Sequence, residues 1–192
     1  MPNEPRILAF AGSLRRDSFN KRLVRVAAEG ARSAGAEVTV LDLADYPLPV
    51  FNEDLERDAG TPQEAIDLKA QMVSHDGFLI ASPEYNSSIS GALKNAIDWA
   101  SRHAEGEPGL VAFSGKCVAL MAASPGSLGG LRGLVHVRSI LGNLGMLVLP
   151  KQVAVPSAHK AFDDDGGLVD PKRQEAVKGL GRQLAELLGK LA

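Results

Sequence analysis

Residues 6–20, RILAFAGSLRRDSFN, carry the reading on which the rest of the chain turns. The apolar run from Ile7 to Ala11 has the length and composition of a short buried strand. It breaks at Gly12 into a loop dense in hydrogen-bond donors, and helical spacing begins near Phe19. Ser13, Arg15, Ser18 and Asn20 supply three neutral polar side chains and one guanidinium. The first turn of a helix adds unpaired N–H groups and the positive end of the macrodipole. A strand, a donor loop and a helix start in that order suit a phosphate monoester. The same residues also suit a plainer end, in which Ser18 caps the helix and the arginines are solvated, so the remainder of the chain has to decide.

Downstream, Leu23, Val26, Ala27, Gly30, Ala31 and Ala34 recur at three- and four-residue spacing with Lys21, Arg22, Arg25, Glu29 and Arg32 between them, an amphipathic helix stopped at Gly35. Residues 37–41, EVTVL, read as a second strand. The Pro-containing stretch DLADYPLPVFNEDLERDAGTP follows and reads as one long loop up to a helix start near Thr61 and Pro62. Ile66, Ala70 and Val73 mark that helix. A third strand, GFLIA at 77–81, runs directly into Ser82, Pro83, Glu84, Tyr85 and Asn86. Ser90 is placed to cap the next helix, with Leu93, Ile97 and Ala100 on its buried side. A second loop over 102–115 leads to a fourth strand over 116–122, then to the turn Ala123 to Gly130 and a helix to about Leu144. A fifth strand over 146–149 and a last helix with Val177, Leu180, Leu184, Leu187, Leu188 and Leu191 on one side complete the chain.

Strands alternating with helices, and strands apolar almost throughout, imply a parallel sheet covered on both faces. In such a sheet, ligands bind beyond the carboxyl ends of the strands. The special turns after strands one, three and four all fall on that edge. Pro83 to Asn86 offers a rigid turn, a flat phenol and backbone amides, suited to a planar heterocycle with donors and acceptors along its rim. The glycines of Ser124 to Gly130 permit close backbone approach from the other side. Each turn alone is ordinary loop chemistry; together they describe a mononucleotide-sized site, with phosphate and ring held by different loops.

Three stretches, GSLRRDSFN at 12–20, PEYNSSISGALKNAIDW at 83–99 and SPGSLGGLRG at 124–133, resemble the NADPH-dependent FMN reductases of flavodoxin-like fold, a family that includes bacterial quinone, azo-dye and chromate reductases. The resemblance spans about residues 6–150. It implies a three-layer α/β/α sandwich with a five-stranded parallel sheet in the order 2-1-3-4-5; the length of 192 residues and the 45% hydrophobic content fit one domain, so a single FMN-binding domain over residues 1–192 is expected. The resemblance implies further that Ser13, Arg15, Ser18, Phe19 and Asn20 hold the FMN phosphate end. Pro83, Glu84, Tyr85, Asn86 and Ser87 would pack on the isoalloxazine, with Ser124 and Gly126 bordering the ring. NADPH or NADH would be the co-substrate, and a quinone, a flavin or a similar small molecule the acceptor, by two-step hydride exchange. No catalytic side chain is implied. Ser90 departs from the pattern, where proline is commoner before the glycine, and so does Ser87, where a larger residue is common. A flavodoxin-type electron carrier without NAD(P)H turnover is the alternative reading, although such carriers tend to be strongly acidic.

The formal charge of −2 over 192 residues provides no basic field for nucleic acid and no polybasic stripe for a membrane. A single cysteine, Cys117, lies within a predicted apolar strand and reads as a small buried hydrophobe. With no leader or long apolar segment in view, a cytoplasmic location is expected. The four histidines are scattered without partners at ligand spacing, so no metal site is expected. Leu131, Leu134, Val135, Val137, Ile140, Leu141 and Leu144 are apolar on more than one side of their helix. With the resemblance, this points to a homodimer or homotetramer.

Overall fold

A computed structural model describes residues 4–191. Five strands form one parallel sheet: β1 (Arg6–Ala11), β2 (Glu37–Asp42), β3 (Gly77–Ala81), β6 (Cys117–Ala123) and β7 (Leu147–Val155). They lie in the order β2-β1-β3-β6-β7, which is 2-1-3-4-5 when only these five are counted. A separate antiparallel hairpin, β4 (Glu84–Tyr85) with β5 (Ser88–Ile89), rises from the end of β3. The helices are α1 (Phe19–Ser33), α2 (Glu53–Ala59), α3 (Gln63–Val73), α4 (Gly91–Ala100), α5 (Leu131–Asn143) and α6 (Pro171–Leu191). Alternate residues of the central strands feed two apolar layers. One is shared with α1 and α6, the other with α3, α4 and α5. This is the flavodoxin-like α/β/α sandwich.

Four local expectations change. The stretch read as one loop holds a short helix, α2, which Asn52 caps by accepting from the Asp54 N–H at 2.9 Å and which ends at Gly60 with φ 81°. The buried stripe of α3 is Ala65, Leu68 and Met72, while Ile66 and Val73 face outward. Lys21, placed on the polar side of α1, is buried because Asp42 at the end of β2 meets its ammonium at 2.6 Å. β7 runs to Val155, beyond the predicted end at Leu149. It is an edge strand, and its register slips between Val118 and Leu120 of β6, which accommodates Pro150 without a broken ladder.

On one face, α1 and α6 touch backbone to backbone. A Cβ built on Gly181 would lie 1.9 Å from the Ala27 carbonyl oxygen, and one on Gly30 would lie 2.0 Å from that of Lys178. Neither contact can be relieved by a side-chain rotation. Gly181→Ala is therefore expected to force the helices apart and lower stability by about 1–3 kcal/mol or more. The check is a lower denaturant midpoint with an unchanged slope.

Candidate functional site

At the carboxyl edge of the sheet a cleft opens between three loops. Ser13, Arg15, Ser18, Phe19 and Asn20 line it from the first, Pro83, Glu84 and Tyr85 from the second, and Ala123, Ser124 and Pro125 from the third. Nine of the twelve sequence-predicted residues thus meet in one place. Asn86, Ser87 and Gly126 do not line it. The first two form the tip of the hairpin, and Gly126 stands open to solvent. Ala123 and Pro125 were not among the expected site residues, although both stand in the turn that drew attention to Ser124.

The first loop has the chemistry of an anion cradle. The only backbone hydrogen bond donated between Leu14 and Lys21 among the described residues is from Arg15 N–H to Ser13 Oγ at 3.3 Å. Regular helical bonding begins with the Arg22 N–H on the Ser18 carbonyl, at 3.3 Å. Ser18 stands at the N-cap of α1, yet its side chain makes no capping bond, so the plain cap reading does not hold. A run of unpaired N–H groups at a helix start is the arrangement that receives phosphate or carboxylate. Arg15 folds over this loop, donating from its guanidinium to the Asp17 carbonyl at 3.0 Å.

Asn20 is placed differently from expectation. Its amide nitrogen donates to the Ala123 carbonyl at 2.9 Å and its amide oxygen accepts from the Ala123 N–H at 2.9 Å. With 3% exposure, the side chain acts as a tie between the first and third loops. Ser90 is a second tie. Its hydroxyl donates to the Gly12 carbonyl at 2.5 Å and accepts from the Leu93 N–H at 3.1 Å, so it caps α4 and fixes the end of β1 together. A proline at 90 could do neither.

The hairpin is held against α5 through Glu84. Its carboxylate accepts from Arg132 Nε at 2.8 Å and from the Gly133 N–H at 3.0 Å. Burial pushes this carboxyl up, but the Gly133 N–H and the Arg132 guanidinium more than offset it and hold its pKa below the ordinary value. His136 adds a hydrogen bond to Ser88 Oγ at 2.9 Å. At the tip, Asn86 and Ser87 have φ of 50° and 67°, the two-residue turn with both residues left-handed that closes tight hairpins. The third turn depends on Gly129 and Gly130, with φ of 64° and 93°; a Cβ on Gly130 would lie 2.6 Å from that of Ala122.

The enclosed part of the cleft measures only about 60 Å³. Pockets that engulf small molecules run to roughly 300–1,000 Å³, so this cleft is a shallow one open along its edge rather than an enclosing pocket. A larger cavity, about 440 Å³, sits at the opposite edge among Pro5, Asp76, Lys116 and Leu188. Its ammonium is already used: Lys116 donates to the Val73 and His75 carbonyls at the end of α3. It lacks a convergent donor set. Among the described residues no three His, Cys, Asp or Glu side chains gather as metal ligands, and no helix is long and apolar enough to cross a membrane.

Residues 5–160 match the family model for NADPH-dependent FMN reductase. The chain belongs to that family. Among its relatives, a probable NADPH:quinone oxidoreductase of Oryza sativa subsp. japonica is 39% identical over 183 residues, which cover 93% of this chain and 86% of the relative. An NAD(P)H-dependent FMN reductase of Pseudomonas aeruginosa is 38% identical, covering 93% and 92% respectively. The solved structure of FerB, a flavoenzyme NAD(P)H:(acceptor) oxidoreductase from Paracoccus denitrificans, superposes with a TM-score of 0.80 at 29% identity, covering 97% of this chain and 98% of that one. An archaeal flavodoxin shares the fold at a TM-score of 0.65, with 14% identity over 95% and 98% of the two chains.

Two substitutions probe this framework. Asn20→Ala leaves the Ala123 N–H and C=O without partners and should cost about 1–3 kcal/mol for each group left unsatisfied, read as a fall in Tm. Ser87→Gly relieves a left-handed residue at the hairpin tip. Set against the chain entropy of glycine, a net gain of about 0.5–1 kcal/mol is expected, read as a rise in Tm.

Proposed function

We propose that the protein is an NAD(P)H-dependent FMN oxidoreductase that reduces a quinone, a flavin or a similar small acceptor. The observation that carries the reading is that Ser18, Phe19 and Asn20, whose N–H groups make no hydrogen bond among the described residues, line the same cleft as Pro83, Tyr85 and Ser124. That donor set fits the phosphate of FMN, with the Ser13 and Ser18 hydroxyls beside it and Arg15 supplying charge. The hairpin fits the ring end. Pro83 and Tyr85 provide flat apolar surface, and the Asn86 and Ser87 N–H groups, which make no hydrogen bond among the described residues, are available as donors. Ser124 and Gly126 border the same end from the third loop. When bound, FMN supplies hydride exchange between NAD(P)H and the acceptor.

The chain's own part is to bind, orient and leave one face accessible. A shallow cleft favours successive use of a single open face by NAD(P)H and acceptor. Hydride transfer moves no proton at a protein atom, so no side chain is assigned an acid or base role. A flavodoxin-type carrier would share the fold, but the two relatives described above are named as an NADPH:quinone oxidoreductase and an NAD(P)H-dependent FMN reductase.

In this reading one FMN-binding domain spans the chain and works in the cytoplasm, where its lone buried Cys117 stays reduced. It works as a homodimer or homotetramer. Support for assembly comes from Leu128, Leu131 and Val135, exposed on the turn and helix that follow Ser124 beside the shallow cleft.

Anaerobic addition of NADPH to the flavin-loaded protein should bleach the visible flavin spectrum within mixing, and a quinone should restore it. Spectra unchanged by NADPH would leave a carrier. Arg15→Ala should weaken FMN retention by about 1.5–3 kcal/mol through loss of a charge-assisted contact, measured by flavin fluorescence titration.

A further inference from the structure

Phe162 lies just beyond residues 5–160, the part matched by the family model, in the segment between β7 and α6. Its ring is nearly parallel to that of Phe19, at 7° with centroids 6.1 Å apart. The Arg22 guanidinium carbon lies 4.9 Å from the centroid of the Phe162 ring. Phe19 and Arg22 are three residues apart on α1 and so share one side of its first turn. Phe162 spans both.

The clasp is anchored. Arg22 donates to the Asp163 carbonyl. The adjoining turn closes on itself, with the Gly167 N–H on Asp163 Oδ1 at 2.7 Å and the Asp163 N–H on the Gly167 carbonyl at 3.0 Å. Phe162 also bridges to Leu168, which is buried in the layer beside α1 and α6. The ring therefore presses from a fixed support on the turn that carries the uncommitted N–H groups. Phe19 itself lines the cleft, and Ser18 does not brace the turn as a cap.

We propose that Phe162 is a positioning residue for the phosphate end of the site: acting through Phe19 and Arg22, it holds the first turn of α1 so that its N–H groups converge on one anion. The inference rests on the FMN reading above. An aromatic pair is worth about 0.5–1.5 kcal/mol beyond its buried area, which corresponds to a change of up to roughly tenfold in a dissociation constant.

The test compares FMN with riboflavin, which has the same ring and no phosphate. Apoprotein is titrated with each flavin by fluorescence, for the wild type and for Phe162→Ala, Phe162→Leu and Phe162→Tyr, with Tm measured in parallel. Phe162→Ala is expected to weaken FMN about tenfold and leave riboflavin nearly unchanged, while Phe162→Tyr keeps FMN affinity. If Phe162→Ala does not fold, Phe162→Leu, which keeps apolar bulk without the flat ring, carries the same comparison. A lower Tm with unaltered FMN affinity, or equal losses for both flavins, overturns the positioning role and leaves the FMN reading standing. A folded wild type that binds neither flavin overturns that reading and this inference with it.

Discussion

The edge that carries the cleft is held at one span by the paired hydrogen bonds between the Asn20 amide and Ala123. β3 lies between β1 and β6 and ends at Ala81, with the Ser82 N–H on the Met121 carbonyl at 2.8 Å as the last rung. Two residues further along β6, Ala123 turns its N–H and C=O to the same side and meets no strand there. The Asn20 side chain, itself a primary amide, takes the place of the missing peptide. It thereby fixes the distance between the first and third loops over the top of β3. Because the pair is buried, its loss would leave the Ala123 N–H and C=O unpaired, and the spacing of the first and third loops rests on it.

Other contacts complete the frame from two sides. Inside, Ser90 joins the end of β1 to the start of α4, and Glu84 fastens the hairpin to α5. Outside, the end of β7 and the segment after it back the third turn: the Ser124 N–H meets the Val155 carbonyl at 3.1 Å, and the Ala158 N–H meets the Ser124 carbonyl at 3.0 Å. Donor groups that must converge on a charged ligand lose affinity if the ligand has to order them. Here the loops are tied to one another by buried hydrogen bonds, and the ordering is done by folding.

The strands, their parallel sheet and the gathering of the special turns on one edge were legible because each depends on local pattern, whereas the strand order came from the resemblance alone. Apolar runs mark strands, glycines and prolines mark their ends, and parallel topology gathers the turns on one edge. What escaped depends on contacts distant in sequence. Lys21 looked like a solvated residue since its partner, Asp42, stands on another strand. Asn20 looked like a phosphate ligand since nothing near it signals that Ala123 will use its amide. β7 appeared to stop before Pro150, because the irregular register that admits a proline at a sheet edge has no local signature. The misplaced stripe of α3 reflects a weakly amphipathic helix, whereas α2 did carry signs in Asn52, its acidic first turn and Gly60, overshadowed by the prolines before it.

The glycine contact between α1 and α6 also bears on how the molecule comes into being. The backbone against which α1 seats, around Lys178 and Gly181, lies about 150 residues further along the chain than Ala27 and Gly30. Until that contact forms, β1, β2 and β3 can pair, but α1 has an uncovered face and no fixed angle to the sheet. Closure of a contact so distant along the chain is slow relative to local structure. The angle at which α1, and with it the first loop, leaves the sheet is therefore set by contact with α6.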